Sequence, residues 1–155
     1  MPQPNRSRVF RRAAALASTC LTLSAVVLTM SSPAYASTSY NGKDPVSTGC
    51  SSTGSTKAFA DGNGFIIELH WSTACASAWA DIYAERGAYD AANPPTAEII
   101  SEKNGVVQAT YACHNLTSYN STYTTCHTAM VNDGIGLAAE AYGENDGDGV
   151  YTGWF

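Results

Sequence analysis

Residues 49–79 read GCSSTGSTKAFADGNGFIIELHWSTACASAW, and this stretch decides the fold. Positions 65, 67, 69 and 71 are apolar, whereas Glu68 and His70 fall on the opposite face, which is the period-two pattern of a half-buried strand. The preceding DGNG at residues 61–64 predicts a tight turn, because glycine readily takes the positive φ that such turns require. Cys50 and Cys75 bracket this predicted hairpin, and a disulfide between them could join its two ends.

Residues 1–36 have the pattern of a secretory signal peptide. Four arginines precede an uncharged, largely apolar run at residues 13–30, and Ala34-Tyr35-Ala36 has the small-x-small form of a signal peptidase site. A retained transmembrane anchor is the alternative, but the run is near the lower length limit for a span and ends in a cleavage signature. We therefore expect cleavage after Ala36, a secreted extracellular protein and no membrane attachment after cleavage.

The expected mature chain, residues 37–155, is strongly acidic. It keeps four lysines and arginines and all thirteen acidic residues, a formal charge of −9 with histidine neutral. Such a surface repels nucleic acid phosphates and anionic lipid headgroups, so nucleic acid is not an expected partner. The length fits one domain.

Four cysteines remain after the predicted cleavage: Cys50, Cys75, Cys113 and Cys126. An even number in an exported chain favours two disulfides, although four cysteines allow three pairings. We favour Cys50–Cys75 and Cys113–Cys126, because each pair brackets a candidate hairpin or loop. The alternative for the second pair is a zinc site that includes His114 and His127, but the spacing does not match a zinc finger. We expect no metal and no cofactor.

The remaining pattern predicts several further short strands. Asn104-Gly105 separates two β-prone runs at residues 97–102 and 106–112, a strong hairpin signal. Residues 79–84 read as a strand that places Trp79, Asp81 and Tyr83 on one face, with a short helix as the alternative. Other predicted segments are a polar loop at 115–125, an acidic turn at 143–149, and strands at 128–132, 137–142 and 150–155.

These elements predict an all-β fold, a small antiparallel sandwich or barrel held by two disulfides. The predicted β domain covers residues 50–155 and follows a polar N-terminal arm at residues 37–49. That arm is either an ordered lead-in to Cys50 or a flexible tail.

Two quoted segments carry a family resemblance. YNGKDPVSTGC at residues 40–50 and IELHWSTACASAWADI at residues 67–82 resemble the YjfA-like family of small secreted bacterial proteins. The resemblance implies secretion and a small domain of unknown function, so it supplies no mechanism. Members of that family often carry a basic residue after Trp-Ala, whereas this chain has Asp81, which argues against a shared anion-binding role.

The sequence offers little support for catalysis. There is no Gly-x-Ser-x-Gly motif, and a Glu68–His70 pair two residues apart on a strand is common on solvated faces. Residues 115–125, by contrast, are rich in Asn, Ser, Thr and Tyr, a composition typical of recognition surfaces. We take Tyr119 and Tyr123 as partner-binding anchors, with an ordinary polar loop as the alternative.

These observations favour a secreted, non-enzymatic protein-binding module. Its expected partner is a secreted or surface protein, for example in an extracellular antibacterial toxin assembly where this chain is an adaptor subunit. One alternative is a cell-wall or carbohydrate-binding module, in which Trp and Tyr rings stack on sugars. Another is an inhibitor of secreted proteases.

The signal-peptide interpretation makes a direct prediction about the N-terminus. Because the small-x-small signature ends at Ala36, the protein recovered from the culture medium should begin at Ser37. Intact-mass measurement and N-terminal sequencing check this. A secreted form that retains the apolar run at residues 13–30 would contradict it.

Overall fold

The computed structural model describes residues 40–155, which form two antiparallel sheets. The six-stranded sheet contains β1 (Gly54–Gly62), β2 (Phe65–Ser72), β3 (Ser77–Glu85), β6 (Thr117–Ser118), β7 (Tyr123–His127) and β8 (Val131–Asn132). The four-stranded sheet contains β4 (Thr96–Lys103), β5 (Val106–Cys113), β9 (Ala138–Asn145) and β10 (Asp148–Tyr151). The strand orders are β1-β2-β3-β7-β6, with β8 also paired to β3, and β10-β9-β4-β5. The predicted all-β antiparallel architecture is confirmed.

The core between the sheets is built largely from small side chains. Ile67, Leu69 and Ile82 of the larger sheet face Ile99 of the smaller one, and all are fully buried. Around them lie the alanines Ala78, Ala80, Ala84, Ala97, Ala139 and Ala141. At Gly143 a Cβ would lie 2.7 Å from the Phe65 ring, so only glycine leaves room for that ring between the sheets.

Both predicted hairpins are present. The turn at residues 63–64 joins β1 to β2, and Asn104 and Gly105 join β4 to β5 with φ angles of 53° and 77°. Two consecutive positive φ angles match the right-handed twist of a hairpin, which explains the Asn-Gly signal. Residues 79–84 lie within β3, so the helical alternative is wrong.

The region between residues 115 and 132 differs from its prediction. The predicted loop at 115–125 contains β6 and the start of β7, and the predicted strand at 128–132 is reduced to β8. The break falls at Thr128, whose backbone N–H donates to Ala80 O while its Oγ1 accepts from Ala80 N–H. A side-chain hydroxyl thus replaces a backbone carbonyl, and the regular ladder stops there.

The end of the chain also differs from its prediction. The acidic turn is shorter than residues 143–149, because β9 continues to Asn145 and the reversal occurs at Asp146-Gly147. Regular pairing of β10 ends at Tyr151. Beyond it, Phe155 exchanges two backbone hydrogen bonds with Ala139, so the terminal residues still follow β9.

Both predicted disulfides are present. Cys50–Cys75 ties the short 3-10 helix Cys50–Thr53 to the turn between β2 and β3. Cys113 lies on β5 and Cys126 on β7, so the second bridge joins the two sheets. It closes the segment 115–125, as the sequence interpretation assumed, but the strands that flank this segment belong to different sheets.

Part of the predicted N-terminal arm packs onto the domain. Gly42 N–H donates to Met130 O, and Met130 N–H donates to Lys43 O, both at 2.8 Å. Pro45 is fully buried. Residues 37–39 and the predicted signal peptide lie outside the described residues. Within residues 40–155, no helix is long and apolar enough to cross a membrane.

The buried Asp133 predicts how stability depends on pH. It follows β8, and burial raises the pKa of its carboxyl to about 7, against about 3.9 in an unfolded chain. Between these values the folded protein holds a proton that the unfolded chain has released, so stability falls as pH rises through that window. Replacing the carboxyl by a neutral amide, Asp133→Asn, should raise the free energy of unfolding by about 1–2 kcal/mol at pH 8.

Urea denaturation at pH 4 and pH 8 measures this effect. The increase in the free energy of unfolding should be absent at pH 4, where the wild-type Asp133 carboxyl is protonated in the folded state. Asp148→Asn, on an exposed part of β10, is the matched control and should change stability at neither pH. Equal effects of Asp133→Asn at the two pH values would contradict the assignment.

Candidate functional site

The candidate site lies on the face of the six-stranded sheet that points away from the core, which we call the outer face. In β2, residues 65, 67 and 69 are buried between the sheets, so Ile66, Glu68 and His70 lie on the outer face. The strand register extends this face sideways, since Glu68 lies opposite both Phe59 and Asp81. Asp81 in turn lies opposite His127. One row across four strands therefore holds Phe59, Glu68, Asp81 and His127.

The N-terminal segment covers one end of the outer face. Trp79 of β3 points to that face yet is only 3% exposed, because it packs with the Cys50–Cys75 bridge, Met130 and Tyr40. A Cβ at Gly54 would lie 2.4 Å from the Trp79 ring, so the chain must be glycine where it passes over the indole. Residues 40–54 thus form a lid on this part of the sheet.

A cluster of histidines and carboxylates borders this covered region. His70 Nε2 lies 2.9 Å from Glu68 Oε2 and 3.3 Å from Asp81 Oδ2, and its ring stacks on Trp79 with 5.4 Å between centroids. Burial raises the pKa of Asp81, although both imidazoles oppose that shift. The second imidazole, His127, has its Nε2 2.7 Å from Asp44 Oδ2 and so links β7 to the arm.

The part of the outer face left open by the arm contains a cleft that we call the tyrosine cleft. It has a volume of about 380 Å³ and is lined by Ile66, Glu68, Tyr83, Tyr119, Asn120 and Tyr123. The rings of Tyr83 and Tyr119 meet edge to face, with 5.1 Å between centroids and 66° between planes. Tyr119 is 59% exposed. Three tyrosine rings and one carboxylate therefore line the same cleft.

The turn between β6 and β7 holds Tyr119 in place. Asn120 Oδ1 accepts hydrogen bonds from the backbone N–H groups of Thr122 and Tyr123, both at 2.8 Å. The Arg86 guanidinium donates from Nε to Asn120 O at 3.1 Å and from Nη2 to Ser118 Oγ. A turn fixed at both backbone and side chain loses little entropy when a ligand binds to it.

The cleft is electrically negative. The pKa of the Tyr83 hydroxyl is raised above its ordinary value, first by burial and then by the charges of Asp81 and Glu68. Glu68 itself lines the cleft. Anions are therefore unfavourable ligands here, and hydrogen-bond donors and cations are favoured.

The structure brings the predicted residues together with others that sequence reasoning missed. Tyr119 and Tyr123 both line the cleft, and Glu68 and His70 share the outer face, as the alternation in β2 predicted. Tyr83 was placed on the same strand face as Asp81, but nothing in the sequence indicated that this face meets the turn after β6. Pairing of Tyr83 with Thr125 across β3 and β7 creates that contact.

The geometry does not favour a metal centre. Within residues 40–155, no three His, Cys, Asp or Glu side chains are placed to hold one ion. His114 and His127 line a common depression beside the Cys113–Cys126 bridge. The two cysteines, however, are consumed in the disulfide, so the four-ligand zinc site considered from the sequence cannot form.

The comparisons with known proteins identify one family. No curated protein and no solved structure matches the chain. A family model described as "Protein of unknown function (DUF2690)" matches residues 38–142. This match spans the arm, both hairpins, both disulfides and the tyrosine cleft, but it does not single out the YjfA-like family. The chain belongs to the DUF2690 family.

Proposed function

We propose that this chain is a secreted, non-enzymatic module that binds a protein partner through the tyrosine cleft. The observation that carries the proposal is the grouping of Tyr83, Tyr119 and Tyr123 in one open cleft beside a fixed turn. Tyrosine supplies a large contact area at low entropic cost and is enriched at recognition surfaces. Phe59 extends the apolar surface, since it lies opposite Glu68 and is 64% exposed.

Secretion and the narrower family assignment belong to the same proposal. Two disulfides support folding in an oxidising compartment. The signal-like pattern at residues 1–36 and the resemblance of residues 40–82 to YjfA-like secreted proteins favour an extracellular role. An adaptor subunit of an antibacterial toxin assembly is one setting in which such a binding module would act.

The contacts of the two imidazoles are all with groups of the chain itself. The Nε2 atoms of His70 and His127 lie against carboxylates, and His70 is also stacked on Trp79. A carboxylate beside one ring nitrogen also occurs in catalytic triads, but there the other ring nitrogen faces a nucleophile. Among the hydrogen bonds of residues 40–155, neither imidazole is joined to a serine, threonine or cysteine, which supports a non-enzymatic role. The His127 contact links the sheet to the arm.

The cleft geometry favours a protein ligand over the two alternatives. A sugar ring stacks best on a flat aromatic surface as broad as itself, whereas the rings of Tyr83 and Tyr119 stand at 66° to each other and line a cleft. A protease inhibitor needs a loop that projects into an active site. Here the turn that carries Tyr119 folds back onto the sheet and is bound to it through Arg86.

The double variant Tyr119→Ala/Tyr123→Ala tests this proposal. It should abolish stoichiometric co-purification of a partner from culture medium, because aromatic anchors dominate interface energy. It should lower the free energy of unfolding by no more than about 1 kcal/mol, since Tyr119 is mostly exposed. Affinity capture and urea denaturation measure the two effects.

The matched control is Tyr142→Ala/Tyr151→Ala on the four-stranded sheet. Those two rings also pack together, at 4.6 Å between centroids, and Tyr151 is 57% exposed. The control should retain the partner. If the double variant Tyr119→Ala/Tyr123→Ala still captures the partner, this cleft is not the binding site. If the wild-type chain binds purified cell wall or polysaccharide and captures no protein, the carbohydrate alternative is favoured.

A further inference from the structure

The tyrosine cleft and the cluster beside it hold more negative than positive charge. Glu68, Asp81 and Asp44 supply three carboxylates along this part of the outer face. Two imidazoles, His70 and His127, are the cationic groups in contact with them. If both imidazoles are protonated and all three carboxylates ionised, one negative charge remains; with neutral imidazoles, three remain.

The lysines and arginines in the described part of the chain form no ion pair with these carboxylates. Lys43 lies over Tyr40 in the arm, Lys57 lies over the rings of Trp71 and Phe155, and Lys103 ends β4 in the other sheet. Arg86 keeps its positive charge at the edge of the sheet, where its guanidinium donates to the neutral oxygens Asn120 O and Ser118 Oγ. Among residues 40–155, no lysine or arginine nitrogen lies within 4.0 Å of a carboxylate oxygen.

The cleft combines this charge with aromatic rings in a way that suits one type of ligand. A cation is attracted to the face of a tyrosine ring and, more strongly, to a carboxylate in hydrogen-bonding reach. Tyr83, Tyr119 and Tyr123 supply the rings, and Glu68 lines the same cleft. A metal ion would find only one carboxylate among the lining residues, whereas the methylene stem of a long basic side chain would pack against Ile66.

The same chain already holds one basic side chain over two neighbouring aromatic rings. Lys57 Nζ lies 5.1 Å from the centroid of Trp71 and 5.2 Å from that of Phe155. There the chain supplies both the cation and the rings. In the tyrosine cleft the rings and the carboxylate are present, and the described chain supplies no lysine or arginine between them.

We infer that the tyrosine cleft binds an arginine or lysine side chain of the protein partner, between its tyrosine rings and the Glu68 carboxylate. This inference rests on the proposed binding function and names the chemistry of the partner. The cation packs against the tyrosine rings while Glu68 accepts its hydrogen bonds. The acidic surface of the chain favours approach of a basic segment.

Selection from a displayed library of random peptides tests the inference. The full chain serves as bait. Peptides that also bind the double variant Tyr119→Ala/Tyr123→Ala are discarded, because they bind outside the tyrosine cleft. The retained peptides should share an arginine or lysine. Replacing that residue by citrulline, which keeps the shape of arginine and removes its charge, should weaken binding about tenfold or more.

Two matched variants test the role of the carboxylate. Glu68→Gln should weaken the selected basic peptides at least about fivefold and reduce the salt dependence of their affinity. Glu98→Gln makes the same charge change on the four-stranded sheet. It should leave the affinity for these peptides and its salt dependence unchanged. Fluorescence anisotropy at low and physiological salt measures these affinities.

The outcomes separate this inference from the proposed function. Tyrosine-dependent peptides without a basic residue, or basic peptides that tolerate both citrulline and Glu68→Gln, would overturn the inference and leave the protein-binding function standing. If no tyrosine-dependent peptide is selected, the result contradicts both this inference and the proposed protein-binding function. Binding of glucosamine oligomers with no peptide selected would assign the cleft to a protonated amino sugar and overturn the protein partner as well.

Discussion

The structure depends on the first half of β3, which is buried on both of its faces. One face, with Ala78, Ala80 and Ile82, packs into the core between the sheets. The other face carries Trp79, which is covered by the N-terminal segment and the Cys50–Cys75 bridge. A strand with only one covered face would leave this indole in water, and burying a large aromatic side chain contributes about 1.5–3 kcal/mol. Residues 40–49 of the arm are therefore part of the folding unit.

This arrangement divides the outer face into a closed part and an open part. The arm lies over Trp79 and the neighbouring His70, and it is attached at His127 through Asp44. The tyrosine cleft begins where this cover ends, with Glu68 contacting His70 on one side and lining the cleft on the other. Ile66, Glu68 and Tyr83 of the cleft thus lie on strands whose other face is packed in the core, which fixes their positions.

Local chemistry explains which features the sequence could predict. The Asn104-Gly105 turn and the alternation in β2 follow from near-neighbour properties of the chain. The disulfide pairing is favoured because each pair brackets a short segment, although four cysteines allow three pairings. The division of strands between two sheets does not follow from such properties, because it depends on contacts distant in sequence. For that reason the inter-sheet position of Cys113–Cys126 and the meeting of Tyr83 with Tyr119 could be found only from the fold. The break at Thr128 was also hidden, since a hydroxyl that replaces a ladder carbonyl has no sequence signature.

The covered indole of Trp79 gives the protein a built-in optical reporter. Trp79 is 3% exposed and stacked on an imidazole, whereas Trp71 is partly buried and Trp154 is 48% exposed. An indole in an apolar environment emits at shorter wavelength than one in water, so Trp79 contributes to the short-wavelength side of the combined emission. Separation of the arm from the sheet would expose Trp79 to water and move its emission to longer wavelength. The same emission, measured after Trp71 and Trp154 are replaced by phenylalanine, can therefore report whether residues 40–49 are packed on the sheet, without an added label.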